Sequence, residues 1–252
     1  GNMFKEEYET LSNVATNKIR FLKKNKVGMF VMSMMAGAYI GFGILLSFTV
    51  GGALTGLPAR SLVMGACFGS ALSLVVIAGA ELFTGNNLVM TAGLLKGKVT
   101  FRDVLQFWIL CWIGNLAGGM ILGILFHLAG LNTGATAETF HAAALAKTST
   151  AWLPLFVKGI LCNTLVCIAT WCGTKCKSES GKLIMIFWCL LIFFTCGFEH
   201  SIANMTVFMV ALCSHSVTLG GCIYNLCFVT LGNMVGGILF VAVPYYLASK
   251  ER

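Results

Sequence analysis

Apolar residues run along this chain in long unbroken stretches, not in the alternation of a half-buried strand or the one-sided stripe of a soluble helix. Six stretches stand out, over residues 27–51, 61–95, 101–129, 151–173, 183–213 and 220–247. Each is long enough to cross a hydrocarbon layer of roughly 30 Å as a helix. The second is too long for one straight crossing, since a helix over 61–95 would extend about 50 Å. A break is therefore expected where polar residues interrupt it, at Glu81-Leu82-Phe83-Thr84-Gly85-Asn86-Asn87. The fifth stretch carries the same device at Phe198-Glu199-His200-Ser201-Ile202-Ala203-Asn204.

The two interruptions share a register. At an offset of 118 residues Glu81 falls on Glu199, Gly85 on Ala203 and Asn86 on Asn204. Without a gap, Gly114-Asn115-Leu116-Ala117-Gly118-Gly119 falls on Gly232-Asn233-Met234-Val235-Gly236-Gly237, and Gly41 falls on Gly159. One frame across separate motifs implies an internal duplication. Three crossings per half send the second half into the membrane from the opposite side. The predicted fold is thus an all-α integral membrane protein of six spans, built as inverted three-helix repeats with spans two and five broken. It divides into an amphipathic helix over 4–26, a first repeat over 27–129, an outer loop over 130–150 and a second repeat over 151–248. Small residues at four-residue spacing, Gly114 with Gly118 and Gly232 with Gly236, predict close helix contact.

Composition agrees with a bilayer as solvent: 58% of residues are hydrophobic and 10% charged, with mean hydropathy +0.87. A net charge of +8 invites a nucleic-acid reading, but the basic residues are sorted by side. Lys5, Lys18, Arg20, Lys23, Lys24, Lys26, Lys96, Lys98, Arg102, Lys175, Lys177, Lys182, Lys250 and Arg252 share one side; Arg60 and Lys147 hold the other. Basic loops face the cytoplasm, so both termini are expected there. Phe4, Tyr8, Leu11, Val14 and Ala15 at helical spacing predict an interfacial N-terminal helix, and residues 137–147 a short helix in the outer loop. Gly1-Asn2 ahead of Met3 reads as a cloning remnant. Eleven cysteines in so large an apolar chain read as small packing groups, not a disulfide framework. Cys172 and Cys176, without a nearby His, make an incomplete metal site, and no cofactor is expected.

Non-helical backbone at membrane depth is tolerated where it lines a cavity or is buried in protein. Each break exposes a helix N-terminus with unpaired N–H groups, a natural seat for an anion. Asn86 and Asn204 stand where N-caps are needed. Glu81 and Glu199 are read as acceptors for the exposed N–H groups, with a proton relay as the other reading. His200, beside a break at mid-membrane, can donate a hydrogen bond or a proton to an anion. Thr84 offers a hydroxyl from the opposite break. Lys158 either snorkels outward or, with Lys147, raises the potential of an outer vestibule.

The stretches 78–86, 158–169 and 198–205 resemble the signatures of the formate/nitrite transporter family, and the likeness spans the chain from Phe4 onward. It looks closest to the family's bacterial hydrosulfide-channel branch. The resemblance implies an aquaporin-like protomer in a homopentamer in the bacterial cytoplasmic membrane, with a pore through each protomer. It also implies a central histidine, His200, between apolar constrictions: Leu72, Phe83 and Val166 inside, Phe68 and Phe193 outside. Thr84 and Asn163 match chamber-lining positions, and Lys147 a vestibule position. The expected function is a passive or proton-linked conduit for small monovalent anions, hydrosulfide first, then formate and nitrite. The alternative is a neutral-solute pore, against which stands the absence of the aquaporin Asn-Pro-Ala pair. No enzyme motif such as His-Glu-x-x-His or Gly-x-Ser-x-Gly is present.

Overall fold

The computed structural model describes residues 2–251; Gly1 and Arg252, assigned above, lie outside the described residues. The fold is helical, with no strand among the described residues. Helix α1 (Lys5–Lys24) buries Tyr8, Leu11, Ser12, Ala15, Ile19 and Leu22, the stripe expected of an amphipathic helix. Its Tyr8 hydroxyl donates to the Ala242 carbonyl at 2.9 Å, which ties the two ends of the chain together. Asn25 ends α1 and accepts from the Gly28 amide, so one residue separates it from α2 (Lys26–Ala53).

The second stretch divides into α3 (Arg60–Leu74), a π turn over Val75–Gly79, and α4 (Phe83–Leu95). The third and fourth are continuous as α5 (Phe101–Leu128) and α7 (Trp152–Lys175). Between them lies α6 (Gly134–Ser149), longer than the 137–147 expected. The fifth divides into α8 (Glu179–Thr195) and α9 (Ser201–Cys213). The sixth runs from α10 (Leu219–Gly237) through a π turn, Ile238–Ala242, into α11 (Val243–Ser249). Pro244 sits at the start of α11; its missing N–H and its ring's clash with the preceding turn account for the widened winding there. Among the described residues, five helical segments are long and apolar enough to cross a membrane.

The non-helical residues of the two breaks are 80–82 and 196–200, so both breaks start just ahead of the polar motifs. Each has a glycine with positive φ at its start, Gly79 at +85° and Gly197 at +79°, 118 residues apart. A side chain there is strained in the left-handed region, so glycine sets where the chain turns off. The expectation of an unwound 81–87 segment is corrected: Phe83 onward is already helical.

Packing repeats in the two halves. Helix α2 packs chiefly on α5 and α7 on α10. A Cβ at Gly118 would come within 1.9 Å of the Met34 carbonyl oxygen, and one at Gly236 within 2.3 Å of that of Ile160. These glycines permit backbone contact, as their spacing predicts. The matching of Gly41 with Gly159 is corrected by these contacts. Met34 pairs with Ile160, and Phe30 with Phe156, at an offset of 126, which aligns Ser33 with Gly159. Fewer residues connect the first helix to the break in the second half, so no single offset covers the whole repeat.

Candidate functional site

The new helix starts at the breaks are secured by residues from other elements. Asn115 of α5 accepts from the Phe83 amide at 2.9 Å and donates to the carbonyls of Ser33 and Glu81 at 2.6 and 2.9 Å. Asn233 of α10 repeats this, accepting from the Ser201 amide at 2.9 Å and donating to Gly159 and Glu199 carbonyls at 2.8 and 3.0 Å. One amide side chain thus ties the first helix, the break and the third helix of each half. The Glu81 amide donates to Met32 O and the Glu199 amide to Lys158 O, both at 3.2 Å. One extended amide at each break is thus paired with a carbonyl of the first helix of its half.

The expected N-cap role of Asn86 and Asn204 is corrected. The position preceding α4 is Leu82, which has no capping side chain, and that preceding α9 is His200. Asn86 and Asn204 lie in the first turn beyond and donate instead to carboxylates: Asn86 Nδ2 to Glu81 Oε2 at 3.0 Å, Asn204 Nδ2 to Glu199 Oε2 at 2.5 Å. The glutamates likewise take side-chain donors, not the backbone N–H groups foreseen for them. Lys18 of α1 reaches Glu81 Oε2 and Asn86 Oδ1, both at 2.9 Å. Lys147 of α6 reaches both Glu199 oxygens at 2.9 and 3.0 Å. Two Glu–Lys–Asn triads result, one per break. Gly85 completes the first turn of α4 at the wall of the inner cavity.

At the centre, His200 Nδ1 accepts from the Ala203 amide at 3.1 Å, and Nε2 lies 2.9 Å from Thr84 Oγ1. An N–H pointing at Nδ1 requires the lone pair there, which assigns the ring proton to Nε2. Nε2–H then donates to Thr84 Oγ1, and the threonine O–H stays free to donate onward. Asn163, fully buried, donates to the carbonyls of Thr84 and Asn233 at 3.2 and 2.6 Å. It braces Thr84 from behind and lines none of the cavities along this axis.

Three cavities lie in series. The one beside α6, labelled outer after the orientation expected from the sequence, is about 430 Å³ and bounded by Lys147, Glu199, Asn204 and His200; the one beside α1, labelled inner, is about 420 Å³ and bounded by Lys18, Glu81 and Asn86. Between them sits a chamber of about 10 Å³ lined by Phe68, Leu72, Leu82, Val166, Phe193 and His200. That volume is at the lower edge of what holds one water. Phe68 and Phe193 are shared with the outer cavity and meet edge-on, ring centroids 5.6 Å apart. Phe193 stacks on His200 at 6.0 Å. Leu72 and Leu82 are shared with the inner cavity. Phe83, expected in the inner constriction, lines none of these spaces; Leu82, one residue earlier, holds that place because the helix begins at Phe83. Lys158 is half-buried, lines neither vestibule, and meets the break through its carbonyl.

Sequence reasoning missed Lys18, Asn115, Asn233 and Leu82. Asn115 and Asn233 were within reach, since both lie in the duplicated motif at the same offset as the glutamates.

A family profile described as formate/nitrite transporter matches residues 5–247. The nitrite transporter NirC of Salmonella typhimurium is 40% identical over 250 residues, covering 96% of this chain and 92% of that one. The formate channel BtFdhC of Bacillus thuringiensis is 32% identical, covering 89% and 88%. Among solved structures, an FNT family ion channel superposes with TM-score 0.92 at 39% identity, covering 97% and 99%. A pentameric formate channel with formate bound gives 0.78 at 28%, covering 89% and 98%. Lone buried imidazole, paired breaks and apolar gates occur here in a chain that, on these likenesses, belongs to the formate/nitrite transporter family of membrane transporters and channels.

Proposed function

We propose that this chain is a pore for small monovalent anions, with nitrite foremost and formate and hydrosulfide in the same class. The order of preference changes from the one implied by the motif resemblance because relatives at 40% and 32% identity are named for nitrite and formate. The pore runs through one protomer of a homopentamer, a reading supported by the pentameric relative. Six crossings as inverted repeats put both termini on the cytoplasmic side of a bacterial inner membrane. Span five is then the pair α8 and α9, and residues 27–129 and 151–248 form the two halves around the outer segment 130–150.

The observation that carries this reading is the small apolar chamber that ends on His200, whose Nε2 is hydrogen-bonded to the buried Thr84. A bare anion in such a chamber pays a desolvation cost far above what its two hydrogen-bond donors return. His200, which lines the chamber with Thr84 hydrogen-bonded to it, supplies the polar group where water is stripped. A proton carried with the anion removes the charge from the barrier step, so transport is proton-linked and the translocated species is the neutral acid.

The test is stopped-flow uptake of nitrite, formate and hydrosulfide into proteoliposomes carrying an internal pH dye. Wild type takes up nitrite with proton entry in step. His200→Phe assembles normally by size exclusion but loses about ten- to a hundredfold of the flux, equivalent to one hydrogen bond to a charged group. Unchanged flux in His200→Phe overturns the histidine's role. Swelling in glycerol with no anion flux replaces this reading with the neutral-solute pore.

A further inference from the structure

The two vestibules are not electrically equivalent. In each, the lysine is matched by a glutamate: Lys18 by Glu81 inside, Lys147 by Glu199 outside. The outer cavity holds one more charge, Arg60, for which no carboxylate partner occurs among the described residues. Arg60 stands at the first position of α3, where the positive end of the helix dipole disfavours a cation. Its hydrogen bonds to the last turn of α2 and to α6 hold the mouth together, but they use neither its charge nor all of its donors.

Its placement is nonetheless defined. Nε donates to the Gly51 carbonyl at 2.7 Å and Nη2 to Thr139 Oγ1 at 2.8 Å. An arginine has five N–H donors in a planar fork. Two are used here, so three, both on Nη1 and one on Nη2, remain without a protein acceptor among the described residues, enough to offer an anion a parallel N–H pair. The side chain is half-buried in the wall of the cavity that ends at Phe68 and Phe193.

We infer that Arg60 is an anion-recruiting site in the outer vestibule, loading the two-oxygen anions ahead of the phenylalanine gate. Nitrite and formate are bent O–X–O ions whose two oxygens match the parallel N–H pair; hydrosulfide offers one acceptor atom and gains only the point charge. The site therefore adds discrimination as well as local concentration, and it acts from outside only. This inference rests on the anion-pore reading.

The experiment measures initial uptake against external nitrite and hydrosulfide for wild type, Arg60→Gln and Arg60→Lys, with oriented protein in proteoliposomes. It is run at about 0.01 M and about 1 M salt, where screening lengths differ about tenfold. Glutamine can still donate to Gly51 O, so the fold of the mouth is kept. At low salt Arg60→Gln raises the half-saturating nitrite concentration about five- to tenfold with maximal flux unchanged, within the range of electrostatic steering. The hydrosulfide shift is about twofold. Arg60→Lys restores the hydrosulfide value and only part of the nitrite value. High salt narrows all differences. Equal half-saturation in Arg60→Gln and wild type overturns the site, as does a fall in maximal flux alone, which assigns Arg60 to holding the mouth. A wild type that conducts no nitrite overturns the pore reading instead.

Discussion

The outer and inner breaks are built to one plan and differ at one position that matters most. Both start at a left-handed glycine, Gly79 or Gly197. Both have a carboxylate bridged by a lysine and an asparagine, and both hang the next helix on an asparagine from the third helix of the half. Yet the residue ahead of the new helix is Leu82 inside and His200 outside. The duplicated parts satisfy backbone and charge, which any break at depth needs twice. The imidazole is needed once, because the two helix starts converge on one small chamber. Its counterpart is free to be an apolar gate.

A second contrast lies in the lysines. Neither comes from the duplicated spans: Lys18 arrives on α1 and Lys147 on α6. The carboxylates stand at matching positions of the two breaks, whereas their lysine partners come from segments that do not match.

The strongest test of the shared plan removes the anchoring amides. Asn233→Ala removes the side-chain partner of the Ser201 amide and of the Glu199 carbonyl in a buried site, which costs about 2–4 kcal/mol. Asn115→Ala removes the matching set and costs a similar amount. Thermal unfolding in detergent compares the two, and losses differing by more than about 2 kcal/mol break the equivalence. A middle-sized effect separates the triads. Lys147→Ala strands Glu199, whose side chain is 7% exposed, while Lys18→Ala strands Glu81 at 15%. Partial exposure puts both well below the cost for a fully buried pair, so about 1–2 kcal/mol is expected outside and about 1 inside. The reverse order in unfolding midpoints argues against the outer triad being the better buried.

The smallest effect concerns how α1 is held. Lys98 hydrogen-bonds the Glu9 carboxylate, Lys96 lies beside it, and together they hold its carboxyl below the ordinary value of 4.5. A depressed folded value contributes stability that is present above the unfolded value and lost as pH falls through the folded one. Wild type therefore loosens α1 on acidification below pH 4.5, and Lys98→Ala flattens that dependence. Amide exchange along α1 across about pH 3 to 6 measures it; identical profiles show that this pair does not hold α1 in place.

Part of the arrangement around the breaks was legible in the sequence. Glu81, Glu199, His200, Thr84 and Lys147 stand in or beside the breaks as expected, since a charged or polar residue inside a long apolar run is too costly to keep in lipid and must face a cavity or a partner. The constriction residues Phe68, Leu72, Val166 and Phe193 also meet around one chamber. Two of the errors, at Asn86 and at Phe83, share one cause. Asn86 was read as a cap because its type suits capping, but helix start depends on the glycine turn three residues before Leu82. That shift also moved the inner gate from Phe83 to Leu82.

The helical class, the two interruptions and the N-terminal amphipathic stripe were determined by the sequence alone, because each is a property of neighbouring residues and of hydrocarbon thickness. Tertiary structure decided which amide anchors which helix start, that Lys18 meets Glu81, that the first helices correspond at 126 and not 118, and that Arg60 has no acidic partner among the described residues. Those depend on atoms brought together from distant parts of the chain, where packing, not local pattern, chooses the partner.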